Sequence, residues 1–189
     1  MKPGFDGAAY VCSTPLRARA DGHQDALWRY LRTDDLSVVS TDHCPFCMKD
    51  QKELGRGDFS KIPNGIGSIE HRMDLLYQGV VRGEISLARW VELCCTAPAR
   101  LFGLYPRKGI LQPGSDADIV IFDPDYSWIV DADKFASKGH NSPVHGQRLK
   151  GQVMLTMFKG QIAYRRGNFG VSTGMLQQPS KLPGILEAE

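Results

Sequence analysis

The residues best placed to do chemistry stand together in Ser40-Thr41-Asp42-His43-Cys44-Pro45, where a carboxylate, an imidazole and a thiol follow the apolar run Leu36-Ser37-Val38-Val39. A carboxylate at the carboxyl end of a buried strand is a hard oxygen ligand for a divalent metal and can also accept a proton, so Asp42 is a candidate for both tasks. An aspartate there also caps turns and satisfies loop amides, and on this stretch alone that plainer role has a slight advantage. His43 reads as a loop hydrogen-bonding group rather than a ligand. Cys44-Pro45-Phe46-Cys47 has CxxC spacing, but no second CxxC completes a zinc site and no thioredoxin-like βαβ unit precedes it, so the spacing is coincidental.

Such groups need elements to hold them. Residues 8–12 read as a short buried strand, with Ser13-Thr14-Pro15 turning the chain out of it. Residues 21–32 read as a helix with Ala26, Leu27, Tyr30 and Leu31 on one face, and 36–41 as a second strand. Strand, helix, strand in that order predicts a βαβ unit with parallel strands, which puts Ser13 and Asp42 at one sheet edge, about 5 Å apart if the strands are neighbours. Residues 43–68 carry no periodicity, and Ile62-Pro63-Asn64-Gly65 inside them is a strong turn signal. Helices follow at about 68–80, with Ile69, Met73, Leu76 and Val80 inward, at 86–95 behind a Ser86 cap, and at 96–104 behind Thr96 with Pro98 in the first turn. Beyond Pro106 the texture changes to strands at 118–123, 127–130, 153–158 and 161–164, the last two joined by the hairpin signal Lys159-Gly160. Residues after about 168 read as a tail.

Composition sets the limits. The chain has 189 residues, 42% of them hydrophobic, and a net charge of +2, enough for a real core and no basis for a nucleic-acid partner. No apolar segment approaches a membrane span and the amino terminus has no signal-peptide core, so a cytoplasmic location without membrane attachment is the default. Five cysteines, two of them the adjacent Cys94 and Cys95, argue against a disulfide framework, and this pair reads as small hydrophobes in a helix. Two parallel strands do not make a stable sheet, and the first begins within a few residues of Met1. The chain therefore reads as the last part of a larger α/β domain, residues 1–106, followed by a small β unit, 107–170, and a tail, 171–189.

Several motifs, in order, resemble the carboxyl-terminal portion of the dihydropyrimidinase and hydantoinase family of cyclic amidohydrolases. They are Ser13-Thr14-Pro15-Leu16-Arg17, Ser40-Thr41-Asp42-His43-Cys44, Gln51-Lys52-Glu53-Leu54-Gly55, Asp58-Phe59-Ser60-Lys61-Ile62-Pro63-Asn64-Gly65, Arg72-Met73-Asp74-Leu75-Leu76, Leu101-Phe102-Gly103-Leu104-Tyr105-Pro106 and Gly114-Ser115-Asp116-Ala117-Asp118. The last is shared by many amidohydrolases. The pairing of Gln51-Lys52 with Ile62-Pro63-Asn64-Gly65 is far more specific.

The resemblance implies an α/β fold, the last strands and helices of a metal-dependent (β/α)8 barrel with a β-sandwich appendage, and a site with two divalent metal ions, zinc being usual. A metal-activated hydroxide there opens a cyclic amide such as 5,6-dihydrouracil or a hydantoin. Asp42 matches the aspartate that binds one metal and carries the proton to the departing ring nitrogen. Ser13 and Asn64 match the positions that hold the ring's amide edge, largely through main-chain groups. The complete family enzyme is a homotetramer.

The departures matter as much. The family's His-x-His pair, carboxylated lysine, two further histidine ligands and oxyanion-assisting tyrosine all precede the point where this chain starts, and its five histidines show no His-x-His spacing. Asp42 alone cannot hold two metals, so the expectation is a chain that supplies one ligand and is inactive by itself. Thr14 stands where proline is usual, and His145 where an acid is more common, which reads as surface. A non-catalytic relative of the same fold, like the collapsin response mediator proteins, is the alternative. Such relatives typically lack the metal aspartate and the asparagine of the ring-holding loop, and here Asp42 and Asn64 are both present. Allantoinases and dihydroorotases are nearer enzymatic alternatives, not expected to carry the 51–65 signature. A third possibility is a fragment that is not stable on its own.

Overall fold

The computed structural model describes residues 5–137, 139, 141–170 and 174. The tail expected over 171–189 lies outside the described residues apart from Gly174. A helical layer packs on a four-stranded antiparallel sheet: α1 (His23–Thr33), α2 (Arg72–Val81), α3 (Leu87–Val91) and α4 (Ala97–Leu101) precede β1 (Ile119–Ile129), β2 (Arg148–Phe158), β3 (Gln161–Arg165) and β4 (Asn168–Phe169), which form a meander in chain order. No helix of the described residues is long and apolar enough to cross a membrane.

The helices stand where the apolar period puts them, but Leu27 and Tyr30 of the expected α1 face, and Ile69, expected inward, are exposed. Leu31 of α1, Leu76 and Tyr77 of α2, and Trp90, Leu93 and Cys94 of the α3 run meet in one buried cluster, with Trp28, Val39 and Phe122 packed against it. Phe122 is the link to the sheet: its ring lies 4.7 Å from Tyr77 and 4.8 Å from Trp90, in the tilted geometries that aromatic rings favour. Asp74 and Gln78 on α2 complete the join. Asp74 Oδ1 accepts from Val153 N at 3.3 Å, and Gln78 exchanges two hydrogen bonds with the backbone of Lys150 at 2.8 and 3.2 Å.

Residues 87–101 are a continuous helical run rather than two capped helices. Ser86 caps α3, its hydroxyl accepting from Arg89 N at 3.1 Å, but Thr96 has helical backbone angles and instead donates its hydroxyl to Gly109 O at 2.7 Å. A π segment, Glu92–Thr96, joins α3 to α4. Its position follows from Pro98, which lacks an N–H and would crowd the carbonyl four residues back; widening the turn immediately before it lets the helix pass.

The expected strands at 118–123 and 127–130 are one strand, β1, whose pairing with β2 slips between Asp123 and Ser127. Pro124 cannot donate to a ladder, so the strand bulges there, and Asp123 Oδ1 takes the amides of Asp125 and Tyr126 at 3.0 and 3.2 Å. Lys159-Gly160 turns the chain with φ of 48° and 81°, as a tight two-residue hairpin requires. A second hairpin at Arg166-Gly167, with φ of 45° and 86°, makes β4 where the sequence suggests the start of a tail, because Arg-Gly carries a weaker turn signal than Asn-Gly.

The expected βαβ unit is absent among the described residues. Phe5–Tyr10 is a 3-10 helix, and 36–41 makes no ladder. Three of its carbonyls are taken by side chains instead. Leu36 O accepts from Arg89 at 3.0 Å, Val39 O from Arg72 at 3.2 Å and Thr41 O from Ser68 Oγ at 2.9 Å. With those groups satisfied and no described strand beside it, the extended segment has nothing to pair with.

Candidate functional site

Asp42, Ser13 and Asn64 lie on three separate segments, all exposed, and backbone hydrogen bonds draw those segments together. The turn around Asn64 is the common neighbour. Gly65 N donates to Val11 O at 3.0 Å, which joins it to the segment carrying Ser13. Cys44 N donates to Ile66 O at 3.2 Å, within a short parallel bridge between His43 and Ile66, which joins it to the segment carrying Asp42. Gly65 is the residue that permits this approach, since a Cβ there would stand 2.3 Å from Cys44 O and 2.9 Å from the Phe46 ring.

Lys52 lies at the centre of this arrangement and is fully buried. Its Nζ donates to Val11 O at 2.9 Å, Pro63 O at 2.6 Å and Gly65 O at 3.0 Å, so all three N–H groups of the ammonium are used on main-chain oxygens. The Phe46 ring centroid lies 5.6 Å away. Burial pushes the Lys52 pKa down from its ordinary value, against a smaller opposite pull from Cys12 and Cys44. In the sequence Lys52 stands inside a motif with no role of its own. A lysine in an aperiodic polar loop carries no burial signal, and only its place in Gln51-Lys52 could have drawn notice.

Asp42 itself has φ of 43°, a left-handed backbone that aspartate tolerates better than most residues. Its exposed carboxylate takes no hydrogen bond or ion pair among the described residues. His43 is held: Nδ1 accepts from Ser68 N at 3.0 Å and Ile69 N at 3.2 Å, which puts its proton on Nε2 and makes it the loop hydrogen-bonding group expected. Among the described residues no group of three or more His, Cys, Asp or Glu is arranged to hold a metal ion. One free carboxylate oxygen donor fits a metal as a member of a ligand set, and not as the set. Cys44 and Cys47 form no disulfide.

Asn64 lines an open depression of 1240 Å³, together with Val11 and Cys12 beside Ser13, Ser60, Asn141 and His145. Ser13 and Asp42 do not line it; what the structure unites is their backbone segments, not their side chains. His145 is exposed, as expected, but also accepts from Ala132 N at 3.0 Å through Nδ1 and so fixes one wall. A smaller hollow of 610 Å³ between the sheet and residues 131–136 holds none of the residues singled out from sequence.

Comparison with known proteins places this geometry among relatives. A family model described as the amidohydrolase family matches residues 11–163. The chain is similar to the D-hydantoinase of Streptomyces coelicolor, 55% identical over 160 residues that cover 85% of this chain and 34% of that protein. It is likewise similar to the D-hydantoinase of Geobacillus stearothermophilus, 41% identical over 169 residues covering 89% and 36%. Of solved structures, a D-hydantoinase superposes with a TM-score of 0.84 at 39% identity, covering 89% of this chain and 36% of that one. The dihydropyrimidinase of Brevibacillus agri gives 0.82 at 43% identity, with coverage of 89% and 36%. The chain spans about a third of the length of the curated relatives it matches.

Proposed function

The chain belongs to the amidohydrolase family, in its hydantoinase and dihydropyrimidinase branch, and on that premise we propose that it is the carboxyl-terminal part of a hydrolase opening cyclic amides such as 5,6-dihydrouracil and hydantoins. Amidohydrolases are generally metal-dependent; Asp42 would supply one carboxylate ligand to a site of two zinc ions, which when bound polarise the ring carbonyl and activate water. The same carboxylate takes up a proton and delivers it to the departing ring nitrogen. Ser13 and Asn64 hold the planar amide edge through main-chain groups, donors and acceptors in fixed order. Residues 1–106 belong to the barrel, 107–170 to the β-sandwich and 171–189 to a tail, in a cytoplasmic homotetramer.

The observation that carries this reading is the convergence of the three segments bearing Ser13, Asp42 and Asn64 on the Gly65 turn and the buried Lys52. The test compares metal content and dihydrouracil hydrolysis of the 189-residue chain alone and of an enzyme completed with the amino-terminal portion of the Streptomyces coelicolor relative. The chain alone is expected to show no turnover, and the completed enzyme to turn over. Asp42→Asn, which keeps the left-handed backbone, is expected to lower kcat about a thousandfold, a barrier rise of about 4 kcal/mol. Near-normal activity in that variant would overturn the role of Asp42, and an inactive completed enzyme would overturn the cyclic-amide reading.

A further inference from the structure

A lysine is almost never fully buried without a carboxylate partner, yet Lys52 is, and its partners are three main-chain carbonyls. Three carbonyl dipoles converging on one point repel one another, and an apolar side chain of the same length would leave Pro63 O and Gly65 O unsatisfied and Val11 O with the Gly65 amide alone. Only a group with three tetrahedral donors and a positive charge suits the place. Core packing alone does not ask for such a group, since it carries a desolvation cost that a methionine would avoid.

The geometry has a second consequence. In a trans peptide the N–H points opposite to the C=O of the same plane. Lys52 draws the carbonyls of Val11 and Pro63 inward and thereby turns the N–H groups of Cys12 and Asn64 outward. Neither amide has a partner among the described residues, and both residues line the 1240 Å³ depression. These are two donors on a rigid frame, aimed away from the buried amine.

We infer that Lys52 is a positioning residue: by fixing the peptide planes before Cys12 and Asn64 it sets the spacing and direction of the main-chain groups that read the carbonyl edge of a planar cyclic amide. This inference rests on the cyclic-amide reading above. Lys52 touches neither substrate nor metal, so its removal loosens substrate binding and leaves the chemical step nearly intact.

The experiment has two arms, using Lys52→Met, which keeps the stem without the charge, and Lys52→Arg, which keeps the charge with a different reach. In the 189-residue chain, hydrogen exchange of the Gly65 amide is expected to accelerate at least about tenfold in Lys52→Met. In the completed enzyme, KM for 5,6-dihydrouracil is expected to rise at least about tenfold while kcat stays within about threefold, in whichever variant keeps a native melting profile. An unchanged Gly65 exchange rate overturns the clamp. Faster exchange with unchanged KM, or equal losses in kcat and kcat/KM, shows a structural lysine only and overturns the positioning role. No turnover by the unsubstituted completed enzyme overturns the cyclic-amide reading and this inference with it, and the exchange arm then still separates a structural clamp from none.

Discussion

Gly65→Ala is the sharpest perturbation of the junction that unites the three segments. The added Cβ would stand 2.3 Å from Cys44 O, 2.9 Å from Cys44 Cβ and 2.9 Å from the Phe46 ring. The first of these atoms is backbone and cannot rotate away. Reaching even 3.0 Å, a separation real Cβ atoms seldom go below, needs a retreat of about 0.7 Å. Applied to the Cys44 N to Ile66 O bond of 3.2 Å, that retreat breaks it, and it strains the 3.0 Å bonds of Gly65 to Val11 and to Lys52. Overpacking and one to two lost hydrogen bonds together give a destabilisation of about 3 kcal/mol. Urea denaturation of the chain measures it, with Gly7→Ala as the control, because a Cβ on Gly7 meets nothing within 4 Å. Hydrogen exchange at the Cys44 amide should accelerate in Gly65→Ala and not in Gly7→Ala. In the completed enzyme a misplacement of this size should lower kcat/KM by about a hundredfold. Stability within about 0.5 kcal/mol of the unsubstituted chain, with unchanged exchange at Cys44, would refute the view that this close approach holds the site together.

Three other outcomes follow from packing and charge. Arg89 is buried and donates to Leu31 O at 2.7 Å, Leu36 O at 3.0 Å, Asp34 at 2.6 Å and Glu92 at 2.7 Å. Arg89→Met should cost about 3 kcal/mol in urea denaturation, chiefly through the orphaned carbonyls, and a loss below about 1 kcal/mol would contradict this. The Arg89 hydrogen bond holds the Asp34 carboxyl below its ordinary pKa, and the Lys108 hydrogen bond does the same for Asp116. Both groups therefore stabilise the fold above the unfolded carboxylate value of about 4, and that stability is lost as pH falls through the depressed folded values. The urea midpoint should drop on acidification below about pH 4, less so in Lys108→Met, and an equal drop in that variant would remove the assignment. Burial pushes the Cys94 thiol up to about 11, whereas Cys44 is exposed, so iodoacetamide at mildly alkaline pH should label Cys44 well before Cys94. Equal labelling rates, read by mass spectrometry, would speak against the buried position of Cys94.

Helices and hairpins were legible because their signals are local. Leu31 and Leu76 fall on the buried faces that the 3.6-residue period demands, and Lys159-Gly160 is a turn wherever it stands. The strands expected at 8–12 and 36–41 were not so determined, because a strand is a relation between segments and its β-branched residues specify only a readiness to pair. Arg89, Arg72 and Ser68, all distant in sequence, take the carbonyls that a ladder would have used. The candidate site is legible only in outline for the same physical cause. Motifs single out Asp42, Ser13 and Asn64, but the convergence of their backbone segments depends on Gly65 having no Cβ and on Lys52 accepting burial. Neither property is visible in a loop without periodicity, where lysine is ordinarily solvated and Asn-Gly ordinarily means a turn and no more. A buried ammonium that gathers three carbonyls does for irregular chain what a ladder does for strands: it pairs the backbone, and by fixing which oxygens face inward it fixes which amides face outward.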